Sequence, residues 1–73
     1  MLIQLNGEPH ALPGPVTVQD LLDSLGVDPR TVAVEVNRVV VRRANYGQTT
    51  IDVDAEVEIV AFVGGGAPPP GVR

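Results

Sequence analysis

The chain contains no cysteine, no lysine and no tryptophan. Without cysteine there is no disulfide, no thiolate ligand for a metal and no thiol nucleophile. That absence is compatible with the cytoplasm, the compartment expected for this chain. Without lysine there is no side-chain amine to acylate, and all five basic residues are Arg. Aromatic residues make up only 3% of the chain, so the core has to be built from Val, Leu, Ile and Ala. Valine is the commonest residue, which favours strands over helices. No apolar run approaches the roughly 20 residues of a membrane span, and no membrane partner is expected. No basic region followed by a long apolar stretch opens the chain, so no signal peptide is expected. Five basic residues against nine acidic ones leave a net charge of −4. Counterion release on nucleic acid needs clustered Lys or Arg, so no nucleic-acid partner is expected either. The 73 residues suffice for one small domain, which buries only about 60% of its unfolded surface.

What is present reads as strands around one helix. Residues 1–5 form a first strand, with Ile3 and Leu5 on one face. Asn6-Gly7 is a strong two-residue hairpin signal, and residues 8–12 return as a second strand. Pro9 and Pro13 place that strand at an edge. Thr17 is an N-cap, and Asp20 three residues on completes a capping-box-like pair. Val18, Leu21, Leu22 and Leu25 follow helical spacing and form one apolar stripe. Gly26 stops the helix, and Asp28-Pro29 forbids its continuation. Val32, Val34 and Val36 alternate with Ala33, Glu35 and Asn37 as a half-buried strand. Asn37-Arg38 turns into a short extended segment, residues 39–41. Residues 42–50 read as a loop with a helical turn near residues 44–47. A polar turn over residues 53–56 precedes a last strand, Val57-Glu58-Ile59-Val60-Ala61-Phe62-Val63. The order is β-β-α-β-(β)-β, an α+β domain with one helix packed on a mixed four- to five-stranded sheet.

The last strand offers a surface. Val57, Ile59, Ala61 and Val63 alternate toward the helix. Glu58, Val60 and Phe62 then point to the outer face, where Phe62 beside Val60 makes an exposed apolar patch suited to docking. Arg42 and Arg43 either pair with acids on a partner or solvate a loop, and each taken alone reads as a solvated loop residue. Glu35 and Glu58 fall on neighbouring strands but are too generic for a catalytic pair. The single His, His10, sits on an edge strand without a partner at triad or metal spacing. Tyr46 packs over the core edge. No metal site and no cofactor are expected.

The last strand runs straight into Gly64-Gly65-Gly66, followed by the proline-rich Ala67-Pro68-Pro69-Pro70-Gly71-Val72-Arg73. Three glycines make a thin, flexible backbone thread that can enter a narrow site where any Cβ would clash. A carboxylate on Gly66 would be a reactive handle on that arm. Alone, glycines before prolines read as a linker to a tail; the placement directly after this strand favours the handle.

Ile3-Gln4-Leu5-Asn6-Gly7-Glu8, Thr17-Val18-Gln19-Asp20-Leu21-Leu22, Val32-Ala33-Val34-Glu35-Val36-Asn37 with Val41-Arg42-Arg43, and the final strand with its glycines together resemble the ubiquitin-like β-grasp sulfur carriers, the ThiS/MoaD family. The resemblance covers residues 1–66 and implies a β-grasp domain without enzymatic activity of its own. It implies that Gly66 is adenylated and converted to a thiocarboxylate, with Gly64 and Gly65 giving reach and Val60 and Phe62 helping docking. The implied partners are a ThiF-like adenylyltransferase, a ThiG-like thiazole synthase and, upstream, a cysteine desulfurase. Thiazole formation in thiamin biosynthesis is the implied pathway. Carriers for molybdopterin, cysteine or a secondary metabolite remain open, as does a non-covalent β-grasp binding module. Two features depart from the family. Asp54-Ala55-Glu56 stands where members commonly show Asp-Gly-Asp. Residues 67–73 follow a glycine at which such carriers normally end. The tail is a native pro-segment removed by a protease, an artificial addition, or a sign that the chain carries no sulfur, in that order.

Overall fold

The computed structural model of the chain describes residues 1–62. The readings of Val63, of Gly64 to Gly66 and of residues 67–73 lie outside the described residues. Seven strands and one α-helix run in the order β1 (Leu2–Leu5), β2 (Glu8–Ala11), β3 (Val16–Thr17), α1 (Val18–Leu25), β4 (Val32–Val36), β5 (Val39–Val41), β6 (Thr50–Ile51) and β7 (Glu56–Ala61). Five strands form the main sheet in the order β2-β1-β7-β4-β5. The pair β1/β7 is parallel and its neighbours are antiparallel, so the sheet is mixed, as expected. The proline-bearing β2 lies at one edge and β5 at the other.

Both hairpins are closed by asparagine in the left-handed region, which is what two-residue turns between twisted strands require. Asn6 and Gly7 have φ of 51° and 82°; Asn37 and Arg38 have φ of 52° and 69°. The two asparagines also clip the last strand in place. The Asn6 side chain accepts from the Ile59 N–H at 2.8 Å and donates to the Ile59 carbonyl at 3.2 Å. Asn37 accepts from the Glu56 N–H at 3.0 Å through Oδ1 and donates its own N–H to the Glu56 carbonyl at 2.7 Å. Arg38 is the strained member of this set, because its Cβ opposes a left-handed φ. Its compensation, an approach to Glu56 at 3.8 Å between exposed side chains, is worth little in water. Arg38→Gly is therefore expected to stabilise the domain by about 1 kcal/mol, read as a rise in the urea midpoint with an unchanged slope. A fall in that midpoint would show that the arginine contact outweighs the strain.

The helix start is fully satisfied. Thr17 caps it through Oγ1, which accepts from Asp20 N–H at 3.1 Å, and the Thr17 N–H donates back to Asp20 Oδ2 at 3.2 Å. The amides of Val18 and Gln19 donate to the carbonyls of Thr49 and Tyr46, both at 3.0 Å. All four otherwise orphaned donors of the first turn thus find partners. Two of those partners come from the loop after β5, which draws that loop under the helix. There β6 pairs with β3 as a separate two-stranded sheet, an element not expected from the sequence. Strands of two residues are too short to show a period. Ile51, fully buried by this pairing, is a core residue that the pattern did not single out. The helical turn in the loop is a 3₁₀ turn at Arg43–Asn45, and Tyr46 behind it is 3% exposed.

Val18, Leu21 and Leu22 of the helix pack with Ile3, Val34, Val57 and Ile51 in one core. Leu25 departs from its expected place in the stripe. It is 38% exposed, in the last turn before Gly26 ends the helix in a left-handed cap with φ 69°. The polar turn before β7 also hides a core residue, Ala55, 4% exposed. Asp54 ahead of it takes the positive φ of 63°, and the chain then enters β7 one residue earlier than the pattern suggested.

Candidate docking site at the end of the last strand

The final strand lies between β1 and β4, the most protected position in the sheet. Its pairing with β4 places Val57 opposite Val36, Ile59 opposite Val34 and Ala61 opposite Val32 on the helix side. Val57 is buried and Ile59 half-buried, but Ala61 is exposed. On the outer face Glu58 stands opposite Glu35 and Val60 opposite Ala33. The two glutamates are cross-strand neighbours on a solvated face, and no group of three potential metal ligands exists among the described residues.

Regular pairing ends at Ala61, and one further bond fixes the exit: the Phe62 N–H donates to the Thr31 carbonyl at 2.9 Å. Phe62 is held there with 38% of its surface exposed, as the strand's alternation implies. Val60, opposite Ala33, is half-buried rather than fully exposed. Beside them lies an open groove of about 370 Å³ whose wall includes Ala33, Val40, Val41, Tyr46 and Phe62, with Arg30 and Arg43 at its rim. The groove exists because β5 reaches only as far as Val34 on β4, leaving the start of β4 without a neighbour on that side. Tyr46 fills part of the gap, its hydroxyl donating to the Val32 carbonyl at 3.4 Å. Burial raises the Tyr46 pKa above its ordinary value, so this phenol stays protonated as a donor.

The rim is shaped by Asp28. Its carboxylate accepts from the Arg30 side chain at 2.8 and 3.1 Å and from the Arg30 amide at 2.9 Å. The Arg30 side chain first, then its amide, holds the Asp28 pKa down to about 2. The carboxylate therefore stays ionised through the neutral range and the turn before β4 keeps its shape. His10 lies opposite Ile3 on edge strand β2 and is half-buried; none of the side-chain hydrogen bonds found among the described residues involves it. Nothing in this arrangement pairs a nucleophile with a base. The described residues offer an apolar surface beside Phe62.

One helix across a mixed five-stranded sheet, with a parallel β1/β7 pair at its centre, is the β-grasp fold, and its last strand delivers the chain to an apolar, arginine-rimmed groove. The ThiS family profile matches residues 3–66. The chain belongs to the ThiS family. A crystal structure of a thiamine biosynthesis protein (ThiS) from Geobacter metallireducens superposes with a TM-score of 0.80 at 35% identity, covering 90% of this chain and all of that one. A thiazole synthase of Magnetococcus marinus is 47% identical over 70 residues, 96% of this chain and 22% of that protein. One of Paramagnetospirillum magneticum is 43% identical over 67 residues, 92% of this chain and 21% of that protein. The chain thus spans about a fifth of the length of these synthases.

Val60 is half-buried and Phe62 exposed at the end of β7, and Gly64, Gly65 and Gly66 lie outside the described residues. What sequence reasoning missed is the groove beside Phe62. Its contributors come from three separate segments, and no spacing rule connects Arg30 with Val40 and Tyr46.

Proposed function

We propose that this chain is a sulfur carrier for thiazole formation in thiamin biosynthesis, acting in the cytoplasm as a protein cosubstrate and not as an enzyme. The observation that carries the reading is the delivery of the last strand. Phe62 is fixed at the mouth of an apolar groove, and Gly66 follows four residues later, where the family match ends. A carboxylate is a poor electrophile because its leaving group would be oxide. A ThiF-like adenylyltransferase overcomes this: the Gly66 carboxylate attacks the α-phosphate of ATP and releases pyrophosphate. The resulting acyl-adenylate is a mixed anhydride. A persulfide sulfur, supplied through a cysteine desulfurase, attacks its carbonyl carbon and expels AMP. Reduction of the acyl disulfide by a thiol then leaves a thiocarboxylate, from which a ThiG-like thiazole synthase takes sulfur. The carrier's share is position: a docked body and a glycine thread, Gly64 and Gly65, that presents the terminal atom.

This chemistry needs a free Gly66 carboxylate, so the reading includes removal of residues 67–73. The match to the Magnetococcus synthase leaves only three of the 73 residues outside it, so it runs at least four residues past Gly66. That extension supports a native tail over an artificial one. It also offers a second use of the segment, as the join between a carrier and the rest of a longer polypeptide.

Docking is tested at Phe62. Phe62→Asp is expected to weaken binding to the adenylyltransferase or the thiazole synthase about tenfold or more. Its exposure predicts a melting temperature within a few degrees of the parent. A large drop in melting temperature would make Phe62 a core residue and remove the docking role.

A further inference from the structure

The nine acidic residues outnumber the five arginines, yet the four arginines among the described residues gather around one strand. Arg38 precedes β5 in its hairpin turn and Arg42 follows it. Arg30 and Arg43 rim the groove that contains Val40 and Phe62. A second groove, about 420 Å³, runs along β5 past Val39 to Arg42 and Asn45. Neither groove has a carboxylate in its wall. Val40 lines both grooves and Val39 the second; they are 50% and 65% exposed on an open sheet edge. Asp28 holds Arg30 and Glu56 approaches Arg38, whereas Arg42 and Arg43 have no ion-pair partner among the described residues.

We infer that the β5 edge docks on a partner-enzyme surface whose apolar centre is bordered by Asp and Glu side chains. The inference rests on the carrier reading and extends it from the end of β7 across to β5. Its physical basis is orientation. A chain of net charge −4 is repelled as a whole by an acidic surface, so only its arginine-bearing edge can lead the approach. Phe62 lines the groove beside that edge, so the orientation that satisfies the charges also brings Phe62 to the partner. Val39 and Val40 then lose water on contact, which supplies the short-range part.

The experiment titrates the thiazole synthase of the same organism with the parent chain, with Arg42→Glu/Arg43→Glu and with Phe62→Asp, at low and high salt. The double reversal is expected to raise Kd about tenfold or more at low salt, with the gap closing as salt screens the charges. Arg42→Lys/Arg43→Lys should bind nearly as the parent does. Equal or tighter binding by the double reversal, while Phe62→Asp binds weakly, overturns this inference and leaves the carrier reading standing. Failure of the parent chain itself to bind removes the carrier reading, and this inference with it.

Discussion

Leu22→Ala is expected to cost about 2–5 kcal/mol. Leu22 is fully buried between the helix and the sheet, against a core made almost wholly of aliphatic side chains. Removing it leaves a cavity that no neighbouring aromatic can turn to fill, since Tyr46 is the sole buried aromatic and its hydroxyl is engaged with Val32. Small domains have net stabilities at the low end of about 5–15 kcal/mol, so this one substitution removes a large share. Each kcal/mol moves the melting point of a domain this size by about 4–8 °C, which puts the expected fall at about 8–40 °C. Leu25→Ala is the internal control. It lies in the same helical stripe but is 38% exposed, and its cost should stay below about 1 kcal/mol. Comparable losses for the two would mean that the last helical turn is packed, contrary to the structure.

A chain ending at Gly66 is expected to form an acyl-adenylate when incubated with the adenylyltransferase and labelled ATP, and a chain ending at Gly65 or at Arg73 is not. The effect should be all or none, because the reacting atom is the carboxylate itself. Shortening by one glycine draws it back by about 3.3–3.6 Å, more than in-line attack tolerates, and residues 67–73 replace it with an amide. All three chains should melt at the same temperature, since the core among the described residues is built from side chains no later than Ile59. Adenylation of the full-length chain at an equal rate would place the acceptor elsewhere and contradict the role of Gly66.

How much could be read beforehand follows from the range of the interactions. Asn6-Gly7, Thr17 with Asp20, Gly26 and the Val32-Val34-Val36 alternation are local signals, and each appears in the structure where the sequence put it. The β3/β6 pair and buried Ile51 depend on Thr49 and Tyr46 carbonyls reaching the first helical turn, a contact between segments about 30 residues apart in the chain. Leu25 was misplaced because periodicity tells which face a residue occupies, not how deeply its neighbours cover it. The docking patch was half legible. Alternation along β7 put Val60 and Phe62 on the outer face. The grooves and the gathering of arginines needed the β4–β5 hairpin and the loop after it folded into place, since Arg43 shares a groove with Arg30 and Arg42 lines the one beside it only in the folded chain.

The carrier account turns on the chemical state of Gly66, and the intact mass of the protein recovered untagged from its own cells reads that state directly. A species ending at Gly66, part of it heavier by one sulfur-for-oxygen exchange, is the result the account predicts. A population that retains residues 67–73 throughout, with no exchange, would contradict it, because no free glycine carboxylate would then exist to carry sulfur.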